Sequence, residues 1–456
     1  MADFQRSGRK SDRGGTCVNL LLDDEKVRRF LRKVCAQVRA KELHTEIRAE
    51  LTGHIEDLVE RAEAKGMSRE EAIAQAISQM GNPAEIGRDL HKAHRPQIEW
   101  GMLAIIGVLT ALGLFAMFAL DSAQIQNRGM RTIDISFMMT QLKFILIGLF
   151  AAAGVWFVDY RRLQRFSVLL FVGTVFLLLF ATSQRDFLIN GSLYFINIGD
   201  FSFNAVNFSL YGFLIAAAGM NFAIIRSLPG LMIRIGICGF LPLFIYFQMN
   251  SYMPALIYTI GFASLLYYTR RKWWPAAVFI APVAVAGLFL ITQKPHLYDR
   301  LISISSNSGS DNNYQTMNSI EAIQSGGWFG KGFGVWNNTL PAIYSEALLP
   351  YLMYAFGWIM GMIIIGLALI FIARLVQIIN RIEDPYGRLI VFVVSVLITI
   401  QFLWTILMSI GLVPYTSVSL PFISFGGSQL LLHYVSFGLV LSVYKRIHMI
   451  PKLTTR

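Results

Sequence analysis

The sequence predicts an all-α, polytopic membrane helix bundle of about ten transmembrane helices, preceded by a small helical domain. Three observations carry this. The 456-residue chain has a mean hydropathy of +0.52 and is 55% hydrophobic but only 15% charged, a balance foreign to ordinary soluble domains. Several apolar runs reach the ~20 residues that cross a bilayer as a helix. The cationic residues behind the net charge of +12 are spread over an N-terminal segment and the short loops between apolar runs. Positive-inside topology accounts for that distribution, so no nucleic-acid partner is expected.

In chain order, residues 1–20 read as a disordered basic leader, without the apolar core of a cleavable signal peptide. Residues 21–95 read as a cytoplasmic helical prefix domain. Val27, Phe30, Leu31 and Val34 recur at helical spacing, and so do Leu43, Ile47, Leu51, Ile55 and Leu58. Ser68 and Glu71 have the spacing of a capping box. Gly81-Asn82-Pro83 ends one helix and starts the next. His44, His54, His91 and His94 lack acid or Cys partners at ligand spacing, and Cys17, Cys35 and Cys238 show no paired spacing. They read as ordinary side chains rather than a metal site or a disulfide.

A transmembrane domain follows over 100–446, with a short cytoplasmic tail at 447–456. Spans are expected near 101–120, 138–158, 166–183, 204–225, 232–248, 252–268, 274–292, 347–373, 387–411 and 422–443. Arg161, Arg162, Arg165, Arg226, Arg270, Arg271, Lys272, Arg374, Arg381, Arg388 and Lys445 all fall on one side, the predicted cytoplasm. Both termini are then cytoplasmic, and the loop 293–346 faces outside. Trp273, Trp274 and Trp358 read as interfacial anchors near span ends.

Two polar stretches interrupt the apolar pattern. The first is 311–332, DNNYQTMNSIEAIQSGGWFGKG. Irregular polar backbone of this kind cannot face lipid, because its amides would go unpaired. Its glycines permit tight turns and close approach of a ligand. Asp311 stands near Arg300 and Lys331 in sequence, a pattern suited to a general base beside an anionic group. A solvated loop capped by Asp311 is the other reading of the same residues. The second stretch is 411–430, GLVPYTSVSLPFISFGGSQL, where two prolines and a glycine pair break the backbone. Broken backbone at membrane depth lines a cavity or makes a re-entrant connection.

These stretches resemble the SEDS family of FtsW, RodA and SpoVE. SLPFISFGGSQLLLHYVSFGLVLSV is similar to that family's C-terminal signature. Arg300, Asp311 and YQTMNSIEAIQSGGWFGKG match its outer-loop pattern, with Asn318 and Gln324 at substituted positions. Gln141-Leu142 and Asp159-Tyr160-Arg161-Arg162-Leu163 resemble its second span and exit. The resemblance implies a peptidoglycan glycosyltransferase that polymerises lipid II, an undecaprenyl-pyrophosphate-linked precursor, outside the membrane. Carried onto the matching positions, it makes Asp311 the catalytic base. It makes Arg300, Tyr314, Gln315, Ser325, Gly326, Gly327, Lys331, Pro421, Ser424, Gly426, Gly427 and Ser428 substrate-binding. The implied partner is a class B penicillin-binding protein transpeptidase. The resemblance fixes no cofactor and leaves a divalent cation, Mg or Mn, open. Residues 21–95 resemble a permease prefix domain, with a regulatory or docking role implied.

The chain also departs from the family pattern. Leu193 and Tyr194 replace a basic pair, Asn207 stands near a usual Glu, and Asn250 near a usual Asp. The usual acid pair is absent from YLMYAFGW, and Glu346 is placed to stand in for another acid. Buried ionisable groups are costly and kept for function. The lost polar residues and the extra N-terminal module favour a further class, a catalytically weak scaffold of cell-wall synthesis; a flippase for the lipid-linked precursor is another, although it needs a polar pathway between the leaflets and the spans carry few charges.

Overall fold

The computed structural model describes residues 24–38, 44–93, 99–126, 136–183, 195–198, 201–223, 225, 227–294 and 314–447. The chain divides into two compact units, 1–97 with 445–456, and 98–444.

The first unit contains α1 (Glu25–Gln37), α2 (His44–Glu63), α3 (Arg69–Met80) and α4 (Pro83–Ala93). Asp24 caps α1 by accepting from the Lys26 amide at 2.8 Å. The predicted apolar stripes meet in one core: Val27, Phe30, Leu31 and Val34 pack with Ile47, Leu51 and Ile55, and with Ile73 and Ala76 of α3. Leu58 packs at the edge of that core. His44 holds the Val38 carbonyl at 2.8 Å, so its ring serves the backbone. Cys35 is buried and free.

The capping box at α3 is present. Glu71 accepts from the Ser68 hydroxyl at 2.8 Å and from the Ser68 amide at 3.3 Å. Those bonds hold its carboxyl below the usual range. A lowered native pKa contributes stability above the unfolded value of 4.5, which is lost as pH falls through the native one. Hydrogen exchange at the first turn of α3 should therefore quicken as pH drops below about 4.5, after correction for intrinsic rates. Glu71→Gln should flatten that dependence.

The second unit begins with α5 (Trp100–Gln126), α6 (Phe137–Phe157), the short α7 (Arg161–Arg165) and α8 (Ser167–Ser183). A hairpin of β1 (Phe195–Ile198) and β2 (Phe201–Asn204) follows, antiparallel with Phe195 opposite Asn204. Next come α9 (Ala205–Gly219), and α10 (Leu228–Ile235) joined through a π turn at Gly236–Phe240 to α11 (Leu241–Gln248). Then come α12 (Tyr252–Arg270), α13 (Trp274–Gln293), α14 (Tyr314–Gly326), α15 (Leu348–Phe356), α16 (Trp358–Arg381), α17 (Pro385–Ser409) and α18 (Gly427–Lys445).

Among the described residues, seven helices are long and apolar enough to cross a membrane: α5, α6, continuous α10–α11, α13, α16, α17 and α18. This is a multi-pass membrane protein. The apolar α8 and α9 are shorter, and α12 is diluted by tyrosine and threonine. Three predicted spans change. The span at 204–225 becomes hairpin and then α9, which ends at Gly219. That at 347–373 splits, because Gly357 takes φ +83 and breaks α15 from α16. That at 422–443 starts only at Gly427, since 421–426 is spent on the turn described below.

Burial separates helices of similar hydropathy. The most apolar window of α18 is 72% buried and that of α17 61%, against 17% for α13 and 22% for α6. The first pair forms the centre, and the second turns its apolar surface to lipid. Polar groups at that centre must pair within the protein. His433 on α18 bonds the Gln401 amide oxygen at 2.8 Å, and the Gln401 nitrogen donates to the Tyr211 hydroxyl at 3.5 Å. Three helices are thereby tied by neutral groups.

Candidate active site

Asp311 and Arg300 lie outside the described residues. The remainder of the outer-loop motif begins at α14. Tyr314 and Gln315 on its first turn are exposed, as are Ser325 near its end and Lys331 beyond it. Its other face is buried through Asn318, Ser319, Ala322 and Gly326. Asn318 donates to the Thr339 carbonyl at 2.9 Å, which explains an amide at that position as a loop anchor. The Trp358 indole donates to the Ile323 carbonyl at 2.8 Å.

The glycines beyond α14 make a backbone-to-backbone joint. Lys331 N–H donates to the Tyr354 carbonyl at 3.0 Å, and Gly332 N–H to the Ala355 carbonyl at 2.9 Å. Trp358 N–H returns to the Gly327 carbonyl at 2.8 Å. A Cβ on Gly326 would sit 2.2 Å from the Met353 carbonyl oxygen, and one on Gly330 2.2 Å from that of Ala355. From the other side, a Cβ on Gly357 would sit 2.1 Å from the Trp328 carbonyl oxygen. Gly330 and Gly357 also have positive φ. Much of the glycine content thus serves contact with the α15–α16 break rather than a ligand. Gly327, at φ +59, opens onto free space and stays accessible.

The second stretch closes on the same region. Phe425 N–H donates to the Tyr344 carbonyl at 2.9 Å, and the Ser424 hydroxyl to the Ser345 carbonyl at 3.0 Å. Ser424 also accepts from Leu420 N–H at 3.0 Å, fixing a turn in which Phe422 takes φ +65. Gln141 of α6 reaches the Ile423 and Ser424 carbonyls at 3.4 Å. Ser428 accepts from Asn204 N–H at 3.3 Å, tying the hairpin to α18. Pro421, Ser424 and Ser428 are buried, and Gly426 and Gly427 partly so. A Cβ on Gly427 would strike the Phe144 ring at 2.4 Å. Here too the motif residues are turned largely into protein.

Between the two stretches, Glu346 is singled out from sequence; its neighbours are not. Tyr344 stacks on Phe137 with centroids 5.1 Å apart, and both rings meet Phe425 edge-on. Burial pushes the Tyr344 hydroxyl up, and the Glu346 carboxylate adds to the shift. The Ser345 hydroxyl donates to Glu346. The Tyr351 and Thr416 hydroxyls and the Trp404 indole nitrogen are buried without a hydrogen-bond partner among the described residues, whereas the Ser319 hydroxyl on α14 and the Tyr415 hydroxyl face each other. Buried polar atoms left unpaired are costly, so each such atom is suited to ordered water. The signal available in sequence was the run Pro414-Tyr415-Thr416 directly after a broken span. No group of three or more His, Cys, Asp or Glu comes together among the described residues.

The profile of the FtsW/RodA/SpoVE family, described as Cell cycle protein, matches residues 99–448. The chain belongs to this family. It is 27% identical over 373 residues to a protein of Thioalkalivibrio sp. (strain K90mix) named as a probable peptidoglycan glycosyltransferase FtsW, covering 78% of this chain and 92% of that one. It is 26% identical over 358 residues to Stage V sporulation protein E of Bacillus subtilis (strain 168), covering 75% and 95%. Among solved structures, a chain of a peptidoglycan synthase complex superposes with a TM-score of 0.62 at 19% identity, over 76% of this chain and 98% of that one. The rod shape determining protein RodA of Thermus thermophilus gives 0.56 at 19% identity, over 76% and 97%. The bundle therefore has the fold of that family, and residues 1–98 lie outside the family match.

The joint makes a direct prediction. Gly330→Ala places a side chain against backbone at a positive φ, which should cost on the order of 3 kcal/mol from strain and overpacking. Hydrogen exchange should quicken at the Lys331, Gly332 and Trp358 amides, while α1–α4 stay protected.

Proposed function

We propose that this chain is a peptidoglycan glycosyltransferase that polymerises lipid II into glycan strands at the outer face of the cytoplasmic membrane, in division, elongation or sporulation. The observation that carries the reading is the family match over 99–448, which includes the whole stretch from Asp311 to Lys331. In this orientation both termini are cytoplasmic, by the positive-inside distribution of Lys and Arg, and α14 with its glycine joint is external. Asp311, directly before α14, would take the proton from the acceptor sugar hydroxyl as it attacks the donor's anomeric carbon. The pyrophosphate leaves with the lipid, and Arg300 and Lys331 would balance its charge. Lys331 suits this role because its side chain is exposed while its own amide is held. Ser319 on the buried face of α14 meets the Tyr415 hydroxyl, a hydroxyl pair suited to a sugar hydroxyl or ordered water. A class B penicillin-binding protein transpeptidase would crosslink the strands. Residues 21–95, which the family profile does not cover, would serve as a docking or regulatory module.

A second reading, a scaffold without strong catalysis, is favoured by one observation. The central polar contacts are neutral: His433 with Gln401 and Tyr211, and Asn207 with Gln429. Purified chain given lipid II, with and without the transpeptidase, separates the two. The enzyme reading expects glycan strands from the wild type and at least a hundredfold less from Asp311→Ala, roughly the contribution of a general base, with unchanged thermal stability. Equal polymerisation by the variant would remove Asp311 from its role. No polymerisation by either, with normal binding of the transpeptidase, would favour the scaffold.

A further inference from the structure

The tip of the glycine joint exposes large aromatic side chains that neither the fold nor the proposed chemistry uses. Phe329 is 84% exposed and Trp328 58%. Such side chains on a flexible loop would fold back onto apolar surface, but this loop is held by the three backbone bonds to 354–358 described above. Trp328 is further fixed by edge-on contact with Trp358, 5.3 Å between centroids. The protein thus spends order on presenting an aromatic tip outward.

The level of that tip is set by its attachments. Trp358 is the first residue of the spanning helix α16 and is bonded to Gly327, so the tip stands where α16 enters the bilayer. Four residues beyond Phe329, Phe333 leans on Phe118 of α5 at 5.3 Å and on Phe115 at 6.0 Å. Phe115 and Phe118 are themselves partly exposed on a membrane-spanning helix, so their free surface is the lipid-facing one. Exposed aromatic side chains thus run from the lipid-facing side of α5 to Phe333, itself 43% exposed, on the same short loop that carries Phe329. Lys331, exposed and without an ion-pair partner among the described residues, adds a cation at the same level. Aromatic rings at the headgroup boundary with a neighbouring cation are the side chains that membrane interfaces retain.

We infer that Trp328 and Phe329 insert into the interfacial region of the leaflet on this side, making the glycine joint a membrane anchor for α14. The occupant is bulk lipid, because the loop that carries the tip packs through Phe333 on the lipid-facing Phe118 of α5. The consequence is geometric: the anchor holds the C-terminal end of α14 at headgroup depth, independently of any catalytic role for Asp311.

The test uses full-length protein in liposomes, with Phe329→Cys labelled by an environment-sensitive fluorophore. The parent protein treated identically supplies the background from native cysteines. Glu321→Cys, on the exposed face of α14, is the water-facing control. The label at position 329 should emit to the blue of that at 321. It should lose most of its emission to phospholipid carrying a quencher near the headgroup, and little to aqueous iodide. Iodide quenching equal to that at 321, or shielding from both quenchers, would overturn the inference. The second result would mean that protein covers the tip. Position 329 is exposed, so labelling leaves the core intact, and unchanged thermal unfolding of the labelled variant checks this.

Discussion

The described part of the candidate site depends on one constraint: two stretches of main chain approach more closely than any Cβ allows. The loop after α14 and the break between α15 and α16 share backbone hydrogen bonds, and glycine stands on both sides at Gly326, Gly330 and Gly357. A joint made of main chain alone has no rotamers to relax, so it fixes the position of α14 rigidly. The polar stretch can then sit at the bilayer boundary without exposing unpaired amides to lipid, because those amides pair within the protein. The second stretch adds a similar lock through Ser424 and Phe425 to the 344–345 backbone. Both motifs thus support a surface more than they supply its chemistry.

Beneath that surface the bundle is held by apolar packing and neutral hydrogen bonds. Membrane helices gain little from hydrophobic association, since lipid is as apolar as their side chains, and close packing with a few polar contacts determines the arrangement. The Gln401 amide is well suited to this, because it accepts from His433 on one side and donates to Tyr211 on the other. Amides and hydroxyls satisfy such a centre without the desolvation penalty that ion pairs carry. Of the departures noted in sequence, Asn207 belongs to the same pattern, whereas Asn250 is exposed and meets a cation. Asn207 pairs with Gln429 of α18. Asn250 accepts from Lys294 at 2.9 Å.

The helical class, the membrane character and the stripes of the N-terminal core were legible because each rests on periodicity or bulk hydropathy. Val27, Ile47 and Ile55 fall into one core as their spacing required. The break at Gly357 was not legible. An isolated glycine in an apolar run reads as tolerated, and only the partner strand of backbone shows why it is needed. The hairpin at 195–204 was also hidden, since FINIGDFSF is apolar enough to pass for the approach to a span. The glycine-rich stretch was found, but for a different reason than the one that explains most of it: density of glycine signals close approach, and sequence does not say to what. Ser319 and Tyr415 meet from separate segments, so no local pattern could have paired them.

The measurement that bears most directly on the account joins its structural and chemical halves. Lipid II polymerisation should be followed in proteoliposomes for wild type and Gly357→Ala, with hydrogen exchange recorded on the same samples. If the joint positions the residues that act on the lipid-linked substrate, the variant should expose the Lys331 and Trp358 amides and lose polymerisation with them. Full polymerisation by a variant whose joint is open by exchange would contradict the account, since the site would then not depend on the backbone contact that organises it here.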